Sequence, residues 1–312
     1  MATIGVLFGM ENVFPGALVE RINAMGVAGV SAEFVQIGGV KMEGPCPYRV
    51  VVDRISHDIP FYRAWLKTAA LAGAYVINNP YWSSADDKFF NYALAKRLGV
   101  AVPPTVLLPH KEHPSGTTDK SMRNLLYPLN WDEIFEYIGF PAFLKPFDGG
   151  GWRDVFQVKS REEFFASYDQ TRTLCMTLQK AVNFTEYFRC YVVGQEQVHV
   201  MAYDPRSPFH ERYVKNPPAY PKGLLERVSK DALTLCRALG YDLNTVEFAV
   251  EDGVPYAIDF MNPAPDADPH SVGAENFAWI VEAVATFAVK KAQEPPAPPD
   301  LRWAPMLLKG RP

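Results

Sequence analysis

Two carboxylates, Glu247 and Asp259, flank an Asp252-Gly253 pair in the run Asn244-Thr-Val-Glu-Phe-Ala-Val-Glu-Asp-Gly-Val-Pro-Tyr-Ala-Ile-Asp-Phe-Met-Asn262. Apolar and polar residues alternate through both halves, the signature of two half-buried strands joined by a turn. Val246, Phe248 and Val250 form the apolar face of the first strand, and Tyr256, Ile258 and Phe260 that of the second. For both sets to share a face the loop must hold an odd number of residues, so Glu251-Asp252-Gly253 with Gly253 left-handed is expected rather than a two-residue turn. That register sets Glu247 and Asp259 together on the opposite face. Like charges so placed repel unless a cation neutralises them or water reaches one of them. Hard oxygen ligands of this kind suit Mg²⁺, with Mn²⁺ able to replace it, and substrate phosphates completing the shell.

A second set of residues suits phosphate. Lys145 ends an apolar strand and precedes Gly149, Gly150 and Gly151, so a fixed ammonium stands beside a backbone able to approach a phosphate closely. Glycines between strands also serve as plain turn residues. Neither G-x-x-x-x-G-K-[ST] nor G-x-G-x-x-G occurs, which removes the P-loop and the dinucleotide fingerprint as routes to nucleotide binding. Arg189, Arg206 and Arg212 precede the acidic hairpin, where a guanidinium can grip a phosphate or carboxylate with two hydrogen bonds. Asp204-Pro205 suggests a turn that aims Arg206 at a cleft. Near the N-terminus, Asp53-Arg54-Ile55-Ser56-His57 follows a strand at 48–52, at the carboxyl edge where open parallel sheets place ligands. Arg54 is the candidate substrate-binding residue there. His57, His110 and His113 read as loop histidines, the last two without a third metal ligand nearby.

The elements that must position these residues alternate in type. Strand signals at 4–8, 33–37, 48–52 and 75–77 are separated by helices at 17–25 and 61–72, which implies a mostly parallel α/β sheet. A helix over 86–98 stops at Gly99, and Val102-Pro103-Pro104-Thr105 marks a domain exit. Residues 109–130 are polar and loop-like. Strands are expected at 140–146 and 154–158, then a helix at 160–168 with Ser160 as N-cap and Glu163 closing a capping box. Strands at 173–179, 188–193 and 197–203, a helix at 223–239, the acidic hairpin and one more helix follow, before an extended Pro-rich tail.

Taken in order, these elements resemble the ATP-grasp superfamily over nearly the whole chain. Asp87-Lys88 heading a helix, followed by Gly99-Val-Ala-Val-Pro-Pro-Thr105, is similar to the family's helix and linker entering the nucleotide domain. Phe140-Pro-Ala-Phe-Leu-Lys145-Pro146 with its glycine loop is similar to the phosphate-binding strand and lid, and Leu178-Gln179-Lys180-Ala181-Val182 to the hinge under adenine. The resemblance implies a parallel α/β pre-ATP-grasp domain at 1–108, a two-lobed ATP-grasp domain at 109–292 with an α+β lid lobe over 109–182 and a C-terminal lobe over 183–292, and a Pro-rich tail at 293–312. It further implies that Lys88, Lys145, Gly149, Gly150, Gly151, Gln179, Lys180, Val182 and Glu186 bind ATP, that Glu247, Asp259 and Asn262 hold Mg²⁺, and that Arg189 and Arg206 serve catalysis. Glu186 is placed like the carboxylate that binds ribose hydroxyls. Two departures stand out. Gln179 occupies a position where an acidic residue is common, keeping an acceptor for the adenine amino group. Asn262 follows Asp259 by three positions rather than two, so a bulge at Phe260-Met261 or a bend before Pro263 is needed to return it to the metal.

The activity so implied is that of a ligase: a small-molecule carboxylate attacks the γ-phosphate, and an amine captures the acyl-phosphate with release of ADP and phosphate. The alternatives are a kinase on the same scaffold acting on a small hydroxyl substrate, and a nucleotide-binding regulatory protein without turnover. A net charge of −4 over 312 residues gives no basic stripe for nucleic acid. The apolar run around 66–77 is interrupted by Lys67 and Gly73 and is too short to span a bilayer. The N-terminus carries no secretory signal, so the expected address is the cytoplasm. Cys46, Cys175, Cys190 and Cys236, without a Cys-x-x-Cys pair, read as buried free thiols. A cyclic homodimer is the default assembly.

Overall fold

A computed structural model describes residues 1–42, 44–83, 86–148 and 150–295. Over these the chain divides into two compact units, one from residues 1–83, 186–247 and 260–295, the other from Asp86–Thr185 and Phe248–Asp259.

The first unit begins with β1 (Ala2–Leu7), α1 (Phe14–Ala24), β2 (Val30–Phe34), β3 (Val50–Asp53), α2 (Pro60–Leu71), β4 (Tyr75–Ile77) and the short α3 (Pro80–Ser83). The strands form a parallel sheet of order β2-β1-β3-β4, as alternating strand and helix signals require. Val50, Val51 and Val52 are fully buried, the continuous apolar run expected of a strand covered on both faces.

The second unit opens with α4 (Lys88–Arg97), β5 (Thr105–Leu108), α5 (Trp131–Ile138), β6 (Ala142–Pro146), β7 (Phe156–Val158), α6 (Arg161–Gln170) and β8 (Met176–Lys180). Its antiparallel sheet runs β5-β8-β6-β7. The two-residue period of the strands divides it into unlike faces. Ala142, Leu144, Met176 and Leu178 pack with Phe135 and Ile138 of α5 and Phe164 and Tyr168 of α6, whereas Lys145, Thr177 and Gln179 alternate to the other face, buried but polar. The boundary expected at 108 therefore moves. Lys88 donates its backbone N–H to Phe147 and β5 pairs with β8, so α4 and β5 join the second unit.

Back in the first unit, β9 (Glu186–Val193) and β10 (Gln197–Ala202) form an antiparallel ribbon, followed by α7 (Lys222–Leu239). The strand β11 (Leu243–Glu251) neighbours β9 and continues into the second unit, where β12 (Val254–Asp259) lies beside it. The short α8 (Pro269–Val272) and the long α9 (Ala274–Gln293) end the described chain. Asn78, after β4, exchanges two hydrogen bonds with the backbone of Leu243, and Tyr75 Oη donates to Asp242 at 2.6 Å. α9 packs on α1, β1 and β3 and also on β9 and β10, so the two ends of the chain share one core.

Several expectations are corrected. The hairpin turn holds two residues, not three: Asp252 and Gly253 take φ +52° and +73°, the two left-handed positions of a type I′ turn. A turn of that length pairs Val250 with position 255, so Pro255 and Ala257 are the buried residues of β12 and Tyr256 and Ile258 are half-exposed. Glu247 and Asp259 therefore do not share a face by the strand period. At α6, Ser160 caps as expected, but Glu163 returns its hydrogen bond to the N–H of Lys159 rather than of Ser160. β5 and α5 arise where no element was assigned. Cys190 and Cys236 are buried and Cys46 and Cys175 half-buried, all four as free thiols.

Candidate active site

In the second unit, α4 delivers the first cation. Asp87 caps the helix through Phe90 N–H, the arrangement that begins a helix cleanly, and fixes Lys88 as its first residue. The Lys88 ammonium is almost fully buried and contacts both oxygens of Asp259 at 2.9 and 3.0 Å. One turn on, Tyr92 Oη donates to Ile258 O at 2.6 Å and accepts from Lys145 Nζ at 2.8 Å, with the ammonium also over the Tyr92 ring. Lys145 Nζ donates again to Gln179 Oε1 at 2.8 Å, and Gln179 Nε2 donates to Thr105 at 2.9 Å. Gln179 is thus buried with both amide atoms engaged. It orients Lys145, and its acceptor is not presented to an adenine amino group as the sequence suggests. Lys88, Lys145, Gln179 and Asp259 are brought together with Tyr92, a residue that no sequence motif singles out.

Of the lid glycines, Gly149 lies outside the described residues. Gly151 takes φ +66°, followed by Trp152 at +60° and Asp154 at +56°, so the loop uses left-handed backbone that favours glycine at 151. At Gly150 an added Cβ would meet nothing and φ is ordinary, so no steric demand for glycine exists there. Lys180 is exposed at the end of β8, with its N–H on Pro104 O, and Val182 is half-buried just beyond.

In the first unit, Tyr187 and Arg189, on one face of β9, meet Glu247. Tyr187 Oη donates to Glu247 Oε2 at 2.5 Å. Arg189 Nε lies 3.1 Å from Glu247 Oε1, but that nitrogen makes no aligned hydrogen bond, so the contact is one of charge. Arg189 Nη1 donates to Tyr213 Oη at 2.8 Å, and the guanidinium lies over the Tyr203 and Tyr213 rings. Burial opposes its charge, yet Glu247 with Tyr213 and Tyr203 outweighs that and holds Arg189 above its ordinary pKa. Glu186 opens β9 and, after burial, is the cause that raises the Tyr220 phenol.

β12 ends at Asp259, and the chain leaves the strand before Asn262. The fully buried Asn244 fixes that departure: its Nδ2 donates to Phe260 O at 2.8 Å and its Oδ1 accepts from Asn262 N–H at 3.0 Å. Asn244 was read only as the start of the acidic run.

Two expected site residues are engaged elsewhere. Arg54 is buried, forms a two-pronged ion pair with Glu11, donates to Pro265 O and lies over Phe14. Its donors are spent on the loop after β1 and on residue 265, which corrects its reading as a substrate cation. Gly9, in the same loop, leaves room for Ile55, which an added Cβ would strike. Arg206 is 66% exposed and grips Asp204 through Nε and Nη2 at 2.8 and 3.2 Å, so the turn that holds it also occupies it. His57 pairs with exposed Asp58, His110 with Thr173 O and His113 with Asp119.

Among the described residues no three His, Cys, Asp or Glu side chains gather as a metal cage. The carboxylates of Glu247 and Asp259 and the amide of Asn262 are each oxygen donors of the kind Mg²⁺ takes, which uses one or two carboxylates and completes its shell from phosphates and water. Each carboxylate already faces a protein cation within its own unit, Glu247 with Arg189 and Asp259 with Lys88.

No family model matches the chain. It is 25% identical over 200 residues to the vancomycin C-type resistance protein VanC1 of Enterococcus gallinarum, covering 59% of this chain and 54% of that protein. It is 27% identical over 217 residues to a D-alanine–D-alanine ligase of Dechloromonas aromatica, covering 63% and 66%. The chain thus spans between about half and two-thirds the length of these relatives. Among solved structures, a RimK domain protein ATP-grasp from Sphaerobacter thermophilus superposes with TM-score 0.66 at 16% identity, covering 92% of this chain and all of that one. A D-alanine–D-alanine ligase from Bacillus anthracis complexed with ATP gives TM-score 0.64 at 17% identity, covering 94% and 96%. The fold is that of the ATP-grasp proteins. In sequence the chain is similar to the D-alanine–D-alanine ligases among them.

Proposed function

We propose that this chain is a Mg-ATP-dependent carboxylate–amine ligase. The observation that carries the reading is the pair of buried ammonium groups, Lys88 on α4 and Lys145 on β6, aligned through Tyr92, Gln179 and Asp259. Burying a lysine is costly unless its charge is used, and an α4 cation beside a lid-strand cation suits a polyphosphate. When bound, Mg-ATP supplies the phosphoryl group that turns a substrate carboxylate into an acyl-phosphate open to an amine. Lys88 and Lys145 hold phosphate oxygens, Lys180, Val182 and Glu186 take the nucleoside end, and the left-handed Gly151 lets the lid backbone approach. Glu247, Asp259 and Asn262 hold the cation. Arg189, kept in place by its tyrosines, stabilises negative charge near Glu247. Arg206 and Arg54 are left out of this assignment because neighbouring groups occupy them.

The substrates are small molecules, one a carboxylate and one an amine. The similarity to D-alanine–D-alanine ligases makes amino acids the first to try. No helix among the described residues is long and apolar enough to cross a membrane, which supports the cytoplasm as the working address; a homodimer is the assembly to test. An ADP-release assay with Mg-ATP over pairs of amino acids, small acids and amines tests the function. Release that needs both a carboxylate and an amine is expected. Release with a polyol alone would make the chain a kinase instead, and nucleotide binding without release under any pair would overturn the ligase.

A further inference from the structure

Among the described residues of the second unit, one buried side chain has both of its polar atoms without a partner. Asn91 lies on α4 one turn after Lys88, is 2% exposed, and among the described residues finds no hydrogen-bond partner for either Nδ2 or Oδ1. Buried amides are rarely left so, because each unmet polar group forfeits the hydrogen bonds it made in water. A leucine of similar volume would avoid that loss at an ordinary core position. The other buried polar residues of this region show no such shortage: Lys88, Tyr92, Lys145 and Gln179 are all engaged.

Its direction follows from the helix. Side chains on an α-helix lean toward the N-terminus and cover the preceding turn, so Asn91 covers the first turn of α4, where Lys88 starts the helix with its N–H on Phe147 O. Asn91 therefore stands beside the stem of a phosphate-binding cation and next to the segment that leads into the lid loop. A neutral group with a donor and an acceptor at such a point serves an anion that brings its own water: Nδ2 donates to an anionic oxygen and Oδ1 accepts from a water hydrogen.

We propose that Asn91 is a further nucleotide-binding residue, its amide hydrogen-bonding the phosphate chain of a nucleoside triphosphate held by Lys88. This rests on the ATP reading above and adds to it a contact made by a neutral side chain. The test is calorimetric titration of Mg-ATP into the full chain and its N91L and N91D variants, with thermal unfolding of each measured without nucleotide. N91L is expected to unfold at or above the wild-type temperature, since two unmet polar atoms are removed, and to bind Mg-ATP about tenfold to a hundredfold more weakly. N91D keeps the shape and adds a negative charge, so it is expected to bind more weakly still, with a deficit that shrinks in high salt. Affinity of both variants within about twofold of wild type would overturn the proposal while leaving the ATP reading intact. A wild-type chain that does not bind Mg-ATP would overturn both. Should N91L not fold, the proposal stands or falls on N91D.

Discussion

Lys145 and Gln179 meet diagonally across β6 and β8, where Phe143 pairs with Gln179 and Lys145 with Thr177, and a 2.8 Å hydrogen bond from Nζ to Oε1 joins them. The glutamine turns a flexible lysine into a fixed charge, since its own Nε2 is anchored on Thr105 of β5. Three neighbouring strands thus set the position of one ammonium. Q179L is expected to leave the fold intact and weaken Mg-ATP binding by about tenfold, less than K145A does. Calorimetry on the two variants checks the order; equal binding by Q179L and wild type would remove the orienting role.

Arg189 and Glu247 form a mostly buried ion pair with Tyr187 and Tyr213 attached. Taking away one partner leaves the other charge buried, so R189A is expected to cost about 3 kcal/mol in urea unfolding and to abolish turnover. Adding Glu247→Gln to it should restore most of the stability and none of the activity. Loss of stability by the double variant equal to the sum of the singles would show that the two residues do not act as a pair.

Asn244 satisfies two backbone groups beyond the end of β12. N244L is expected to lose about 2–4 kcal/mol of stability, because the Phe260 carbonyl and Asn262 N–H lose their partner inside the protein. At temperatures where the variant is folded, the concentration of Mg²⁺ needed for half-maximal ATP turnover should rise, since Asn262 is no longer held. An unchanged Mg²⁺ requirement would take Asn262 out of the cation site.

Asp242 carries a pH signature. Burial raises its pKa above the ordinary carboxylate value, against the lowering effect of Tyr75 and Gln195. The native state therefore binds this proton at higher pH than the unfolded chain does. Stability from this group is present at low pH and is lost as pH rises through the raised folded value. Relative to D242N, the wild type is expected to gain stability as the pH is lowered through that value and to stop gaining below the unfolded carboxylate value of about 4. Unfolding free energies across acidic pH would show it, and parallel curves for the two proteins would refute it.

The signals legible in the sequence were those set by near neighbours. Asp87 and Ser160 cap α4 and α6 as their types suggest, Gly99 takes the left-handed conformation after α4, and the valine run of β3 lies in a parallel sheet. Lys145 and Asp259 stand out from the strand and turn pattern and Lys88 and Gln179 from a resemblance in the order of elements, but that Gln179 would be spent on Lys145 is not visible locally. What escaped depended on distant partners. Arg54 looks like a ligand cation until Glu11 is seen beneath it, and nothing local to Asn244 or Asn78 tells that each will stand in for a strand. The hairpin turn is one residue shorter than the alternation of its strands implies, because Asp252 as well as Gly253 takes a left-handed conformation; aspartate does so more readily than most residues.

The packing of α9 against β1 and α1 has a bearing on how the chain comes to be folded as it is made. β1 leaves the ribosome long before α9, so the parallel sheet waits uncovered on one side while the 266 residues between Leu7 and Ala274, including the whole second unit, are synthesised. The second unit can close on itself during that interval, its segments being nearer to one another in sequence, whereas the apolar side of β1 and β3 needs shelter until α9 arrives. A nascent chain halted before residue 274 should therefore hold a chaperone, and release it once α9 has cleared the exit tunnel.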